Sequence, residues 1–198
     1  MANTKLIIIE GPDRVGKSTL IENIKRNFTD RQFLYMHFGK PPVKNSLDYN
    51  KKLFNKMFIS MKYNAAHNID TIYDRSHIGE CVYGPLYRGY EAHYIFDLEK
   101  MYMKYLKSNL YLITLYDNAE VLLSREDGDS FTNEHDLKVK ECNLFISAHN
   151  KSNIVHKLLL NVNGMSTDKV SAICSEFINN AQSVKETPFK QLNLFSTK

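Results

Sequence analysis

The chain has 198 residues, a formal charge of +4, 43% hydrophobic and 24% charged residues. That length favours one domain around one substantial core, and the composition excludes disorder of the whole chain. The mild basic excess is spread along the sequence without a block of like charge, which suits a small polyanion better than a DNA duplex, so no direct nucleic-acid binding is expected.

The first apolar run, residues 6–9, is too short for a signal-peptide core or a membrane span, and no basic segment with a cleavage site precedes it. A cytoplasmic protein without a membrane association is expected. Cys81, Cys142 and Cys174 are widely spaced and form no C-x-x-C. They read as reduced, mostly buried thiols, with neither a disulfide nor a zinc site expected.

Strand-like runs occupy residues 5–10, 32–38, 70–73, 110–116 and 157–162, and each is separated from the next by helical periodicity. Such alternation predicts βαβ units and a parallel sheet, an α/β fold. The first strand leads into EGPDRVGKST, where Gly11, Gly16, Lys17 and Ser18 satisfy G-x-x-x-x-G-K-[ST] in the strand–loop–helix setting the motif needs. The backbone of such a loop cradles nucleotide phosphates at the positive end of the following helix. The ATP-binding set is therefore Gly11, Asp13, Arg14, Val15, Gly16, Lys17, Ser18 and Thr19, with Lys17 on the β- and γ-phosphates and Ser18 on Mg²⁺. Asp13 and Arg14 put opposite charges side by side, which a bare phosphate cradle does not require.

After the second strand comes FGKPP, with Lys40. Across residues 51–65 the apolar positions Leu53, Phe54, Met57, Phe58, Met61 and Ala65 share one helical face. The third strand ends in Asp74-Arg75, and ligands in open parallel sheets sit beyond the carboxyl ends of the strands. Asp74 is thus placed to orient the waters of Mg²⁺, and Arg75 to grip a second phosphate bidentately. Residues 124–136, polar and glycine-containing, read as a lid carrying Arg125. A further amphipathic helix covers residues 166–181. Pro188 then opens an extended tail, so the chain divides into one P-loop domain, residues 1–184, and a tail, residues 185–198.

Together, EGPDRVGKST, the strand-terminal YDR and the lid resemble the thymidylate kinases, a branch of the P-loop nucleoside-monophosphate kinases; DRSHIGECVYGPLYRGY is most similar to their shorter bacteriophage members. The resemblance covers residues 5–180. It implies a five-stranded parallel sheet of order 2-3-1-4-5 sandwiched by helices, a homodimer, ATP with Mg²⁺ as phosphoryl donor and a deoxynucleoside monophosphate as acceptor, in the host cytoplasm if the source is a phage. By the same resemblance Asp13 contacts the sugar 3′-hydroxyl, while Arg14 acts with Lys17 and Arg125 on the transferring γ-phosphoryl group. Arg75 holds the acceptor phosphate, Tyr83 lies under the deoxyribose, Lys40 stands in for a phosphate-binding arginine, and Arg88 completes the acceptor set.

Phe58 and Lys62 have the spacing of the Phe and Arg that hold thymine in the family; Phe58 equally continues the apolar stripe, and both readings stand open. The expected activity is deoxynucleoside-monophosphate kinase, with thymidylate the leading acceptor. Its alternatives are a nucleoside or modified-base kinase and a nucleotide-binding regulator without turnover. A hydroxyl acceptor needs a carboxylate base near the end of the second strand, and MHFGKPP supplies none. In the tail, Gln191, Leu192, Leu194 and Phe195 resemble the short peptide by which bacterial replication proteins bind the sliding clamp. A packed arm on the kinase itself is the alternative.

Overall fold

Strand β1 (Leu6–Glu10) is buried along its whole length, because the sheet it belongs to is covered on both faces. Its side chains divide by strand alternation: Ile7 and Ile9 enter one core cluster, Leu6 and Ile8 the other. It pairs in parallel with β3 (Thr71–Asp74) and β4 (Leu110–Tyr116), while β2 (Leu34–His37) flanks β3 and β5 (His156–Asn161) flanks β4. The order is β2-β3-β1-β4-β5, as the family resemblance implies. This computed structural model describes residues 4–42, 44–125 and 131–180. The tail with Gln191, Leu192, Leu194 and Phe195, and residues 126–130 of the expected lid, lie outside the described residues.

Helices α1 (Lys17–Asn27) and α7 (Thr167–Asn180) cover one face, packing Leu20, Ile21, Ile24, Val170, Cys174 and Ile178 on Ile7, Ile9 and Ile113. On the other face α2 (Ser46–Ala66), α4 (Tyr94–Leu106) and α6 (His135–Lys151) bury Phe54, Phe58, Met61, Ile95 and Phe145 against Leu6, Ile8 and Leu112. Helix α2 begins five residues before the predicted stripe, at Ser46, and α6 takes over the end of the segment expected as lid. Two short elements join β3 to α4: α3 (Glu80–Tyr83) and a π-helix at Gly84–Arg88. The short α5 (Ala119–Ser124) follows β4.

Register sets Ile9 beside Asp74 and Glu10 beside Thr114, so the loops leaving β1, β3 and β4 emerge along one edge of the sheet. The phosphate loop and the Asp74-Arg75 pair therefore lie at the same edge. Among the described residues, no helix is long and apolar enough to cross a membrane. Cys142 and Cys174 are buried and Cys81 is half-buried; burial raises these thiols to about 11, 12 and 12. Such thiols are poor nucleophiles.

Candidate active site

The loop between β1 and α1 is fixed by two glycines. Gly11 has φ of 140°, and a Cβ on it would lie 2.2 Å from the carbonyl oxygen of Leu115 on the neighbouring strand, so no other residue fits. Gly16, with φ of 98°, makes the turn into α1. The Lys17 ammonium lies inside the loop and donates to the carbonyls of Gly11 (2.8 Å) and Pro12 (2.7 Å). Burial lowers this lysine from its ordinary value to about 8, a shift that the nearby carboxylate of Asp13 partly offsets.

The two charged loop positions point to different neighbours. Asp13 accepts a hydrogen bond from Arg75 Nη2 at 2.6 Å, so the phosphate loop is tied directly to the end of β3. Arg75 has φ of 62°, and Arg14 has φ of 69°; both are non-glycine residues in the left-handed region, a conformation that costs of order 1 kcal/mol or more and clusters at functional sites. The amide of Arg75 is held by the Ile9 carbonyl at 3.0 Å, which fixes where its side chain departs. Arg125, at the end of α5, pairs with the buried Asp117 of the β4 terminus at 3.2 Å and donates to the backbone carbonyl of Arg14 at 3.3 Å. Its guanidinium thus stands against the phosphate loop.

Beside the loop opens a half-open cleft, lined by Arg75 and Ser76 at the phosphate-loop end, by Lys40, Phe38, Phe54 and Phe131 along its walls, and by Asn50, Glu80, Tyr83 and Arg88 beyond them. Lys40 reaches it from the loop after β2, its ammonium 4.2 Å from the ring centroid of Phe131. Tyr83 is stacked between Phe131 (4.8 Å) and the edge of Phe145 (5.8 Å). Four of the expected acceptor residues, Lys40, Arg75, Tyr83 and Arg88, therefore share one cleft, and Asp13 touches it through Arg75.

Phe58 is not among them. It is fully buried, stacked on Tyr102 at 5.3 Å, and Phe54, one helical turn earlier on the same stripe, lines the cleft instead. Lys62, its expected companion, lies 4.0 Å over the ring of Tyr105, between α2 and α4. The thymine-holding pair of the resemblance is thus not formed by these two side chains.

Three buried polar clusters went unread in the sequence. Glu80 accepts from Asn50 Nδ2 (2.7 Å), Arg88 Nη1 (2.5 Å), the Tyr90 hydroxyl (2.6 Å) and the Tyr94 hydroxyl (3.4 Å). Glu10, fully enclosed at the end of β1, accepts from the amides of Ser76 and Gly79 and from the Ser76 hydroxyl; desolvation raises its carboxyl above the ordinary value. His77 bridges the Ser76 hydroxyl to Glu99, which also takes Ser152 and the amide of Asn153. These clusters brace the turn that carries Arg75 and Ser76. A carboxylate flanked by apolar residues within a short segment, as in HIGECVY, is the one signal that marks Glu80 in advance.

Asp74 is buried on the α1 side of the sheet, and its Oδ2 accepts from the Tyr35 hydroxyl at 2.7 Å and from His37 Nδ1 at 2.9 Å. Its Oδ1 has no protein donor among the described residues. A hydroxyl on Ser18 and one carboxylate oxygen on Asp74 are the hard oxygen donors that Mg²⁺ takes when phosphates and water supply the rest of its shell, so the residues fit the ion. Among the described residues no cluster of three or more His, Cys, Asp or Glu side chains could hold a metal by itself.

A sheet of this order, with a glycine loop between β1 and α1 and a cationic cleft at the ends of β1 and β3, is a P-loop kinase fold. A sequence profile described as an AAA domain matches residues 3–97, which span the phosphate loop, β3 and the π-helix. The Bacillus subtilis YorR protein, solved in complex with phosphorylated GDP, superposes with a TM-score of 0.72 at 18% identity, over 92% of this chain and 100% of that one. The thymidylate kinase of Candida albicans gives 0.61 at 17% identity, covering 92% of this chain and 95% of its own. A gluconokinase from Sinorhizobium meliloti gives 0.54 at 10% identity, over 92% and 96% of the two chains. No curated protein sequence matches the chain.

Proposed function

We propose that this protein is an ATP-dependent nucleoside-monophosphate kinase, acting on a deoxynucleoside monophosphate. The observation that carries the reading is the 2.6 Å ion pair between Asp13 and Arg75, which joins the phosphate loop to a cleft walled by aromatic rings and supplied with two further cations, Lys40 and Arg88. A phosphate loop holds the donor; a guanidinium next to it, at the near end of an aromatic cleft, is what an acceptor bearing both a phosphate and a base requires. Two of the similar folds, a thymidylate kinase and a protein solved with phosphorylated GDP, are nucleotide-handling proteins, which supports this choice over a sugar acceptor.

In this reading the loop amides and Lys17 hold the donor phosphates, and Lys17 leaves its two loop carbonyls to do so. Ser18 and, through water, Asp74 would hold Mg²⁺, which would supply neutralisation of charge on the donor's terminal phosphates. Arg14 and Arg125, adjacent at the mouth of the loop, stabilise the charge that spreads over the transferring group. Arg75 and Lys40 orient the acceptor phosphate, whose second ionisation near pH 6 leaves it already anionic at neutral pH, so no general base is needed. The end of β2 agrees: Phe38, Gly39 and Lys40 carry no carboxylate into the cleft. Asp13, freed from Arg75 when a phosphate takes its place, is within the loop that faces the acceptor sugar.

The test is a coupled assay with ATP and Mg²⁺ over three acceptor sets: nucleoside monophosphates, nucleosides and gluconate. Turnover confined to monophosphates is the expected result. Preference for a nucleoside or for gluconate would overturn the assignment.

A further inference from the structure

We infer that Arg88 reads the acceptor base and that the base is guanine, held through its O6 and N7; this deepens the monophosphate-kinase reading above and rests on it. The π-helix ends on Arg88, and Gly89, with φ of 71°, turns the chain away immediately afterwards, so the side chain is delivered into the cleft. π-Helical turns mark functional positions in many folds. This one is enforced by sequence: a Cβ on Gly84 would stand 2.9 Å from the carbonyl oxygen of Tyr90.

What Arg88 offers a ligand follows from what holds it. Its Nη1 is bound to Glu80 at 2.5 Å, and no other acceptor among the described residues takes its remaining N–H groups. Glu80 itself offers nothing. Its two oxygens receive four protein donors and its side chain is 1% exposed, so it fixes the guanidinium without meeting a ligand. Asn50 spends its amide hydrogens on the same cluster, at Glu80 and the Tyr90 hydroxyl. The adjoining walls, Phe38 and Phe54, with ring centroids 6.4 Å apart, are apolar. Rings at this distance and a 45° tilt pack on each other and form one apolar wall, and a base lying against that wall meets a rigid fork of donors at its outer edge.

Such an edge selects for two adjacent acceptors with no donor between them. The O6 and N7 of guanine are that pair, and arginine takes them bidentately. Adenine sets an amino group beside N7, cytosine presents an amino group on its outer edge, and thymine offers O4 alone with a methyl group next to it. A pocket whose buried donors would be left unpaired rejects the base that leaves them so.

The experiment is a kcat/KM series with ATP, Mg²⁺ and dGMP, dIMP, 7-deaza-dGMP, dAMP, dCMP and dTMP. We expect dGMP and dIMP, which share O6 and N7, to lead the other natural bases by on the order of 10- to 100-fold, the discrimination a bidentate pair provides. Loss of N7 in 7-deaza-dGMP lowers kcat/KM by about 10-fold or more. The Arg88→Lys variant, which keeps a cation beside Glu80 and removes the fork, erases the difference between dGMP and 7-deaza-dGMP while leaving the KM for ATP unchanged; its melting temperature confirms that it is folded. Preference for dTMP, dCMP or dAMP overturns the guanine assignment and leaves the kinase reading standing. Turnover of no monophosphate overturns the kinase reading, and the guanine assignment with it.

Discussion

The phosphate loop and the aromatic cleft lie on either side of one ion pair yet are built in opposite ways. The loop is nine consecutive residues, Gly11 to Thr19, shaped by backbone: two glycines at positive φ, a helix start, and a carbonyl of β4 packed so close to Gly11 that a methyl group cannot enter. The cleft takes side chains from the loop after β2, from α2, from the end of β3, from α3, from the π-helix and from the segment before α6. Backbone recognition depends on a local pattern and serves any nucleoside triphosphate. Side-chain recognition depends on tertiary placement and can be rewritten one residue at a time. The difference explains how one phosphate loop can serve folds that act on acceptors as unlike as a nucleotide and a sugar acid.

Four tests bear on this contrast, and the largest effect is expected at the loop. Lys17→Ala, and separately Arg14→Ala, should lower kcat on the order of 10³-fold or more with little change in melting temperature, since each removes charge stabilisation at the transferring group. Steady-state rates beside thermal melts check this; an Arg14→Ala enzyme with normal kcat would assign that arginine to structure alone.

At the far end of the cleft, Glu80→Ala leaves Arg88 beside unfilled space and strips four donors of their common acceptor. Breaking a buried charged cluster of this kind costs about 3 to 5 kcal/mol, to be read from chemical denaturation. A loss under about 1 kcal/mol would mean that the cluster is hydrated and not a brace.

Between the two, Arg75→Ala should raise the KM for the monophosphate by roughly 10- to 100-fold, equivalent to about 1.5 to 3 kcal/mol for a charged hydrogen bond, with a smaller change for ATP. Equal changes in both constants would place the residue in the structure of the loop and not in acceptor binding.

A last test separates the sites by titration. Lys17 ionises near 8 in the folded chain and near 10.4 when unfolded, so between these values the unfolded chain binds more protons. The cost of holding a buried ammonium is therefore full below pH 8 and relieved as pH rises toward 10.4. Comparison of Lys17→Met with the parent should show that the parent alone gains stability across this window. For the same reason, kcat/KM for ATP should fall on the basic side near pH 8. The arginines of the cleft do not titrate there, and binding of the monophosphate alone should stay level.

Much of the contrast is legible in the sequence. The five strands and their alternation with helices are readable because a doubly covered parallel sheet needs continuous apolar runs such as LIII, and the loop is readable because backbone geometry demands glycine at fixed spacing. Of the cleft, Arg75 is legible from its place at the end of the third strand, while Lys40, Tyr83 and Arg88 are reached only through the family resemblance. Helical periodicity names the face of α2 that turns inward; it does not say which turn of that face reaches the end of the sheet, and so Phe54 and Phe58 cannot be told apart. Glu80 lies in a helix of four residues, too short for any period, and its partners Asn50, Tyr90 and Tyr94 come together only in the folded chain. His37 and Tyr35 on Asp74 are hidden likewise, because the pairing of β2 with β3 brings them there.

The placement of the Lys17 ammonium on the carbonyls of Gly11 and Pro12 has a kinetic consequence. A nucleotide entering the loop must exchange two good hydrogen bonds for its own, and one leaving finds the lysine's alternative partners already in position. Part of the attraction between cation and polyphosphate is cancelled each time a nucleotide binds, so the loop grips less tightly than its charge alone would dictate. An enzyme built in this way gives up some affinity to let the spent diphosphate go, and its cycle need not stall at the step after the chemistry.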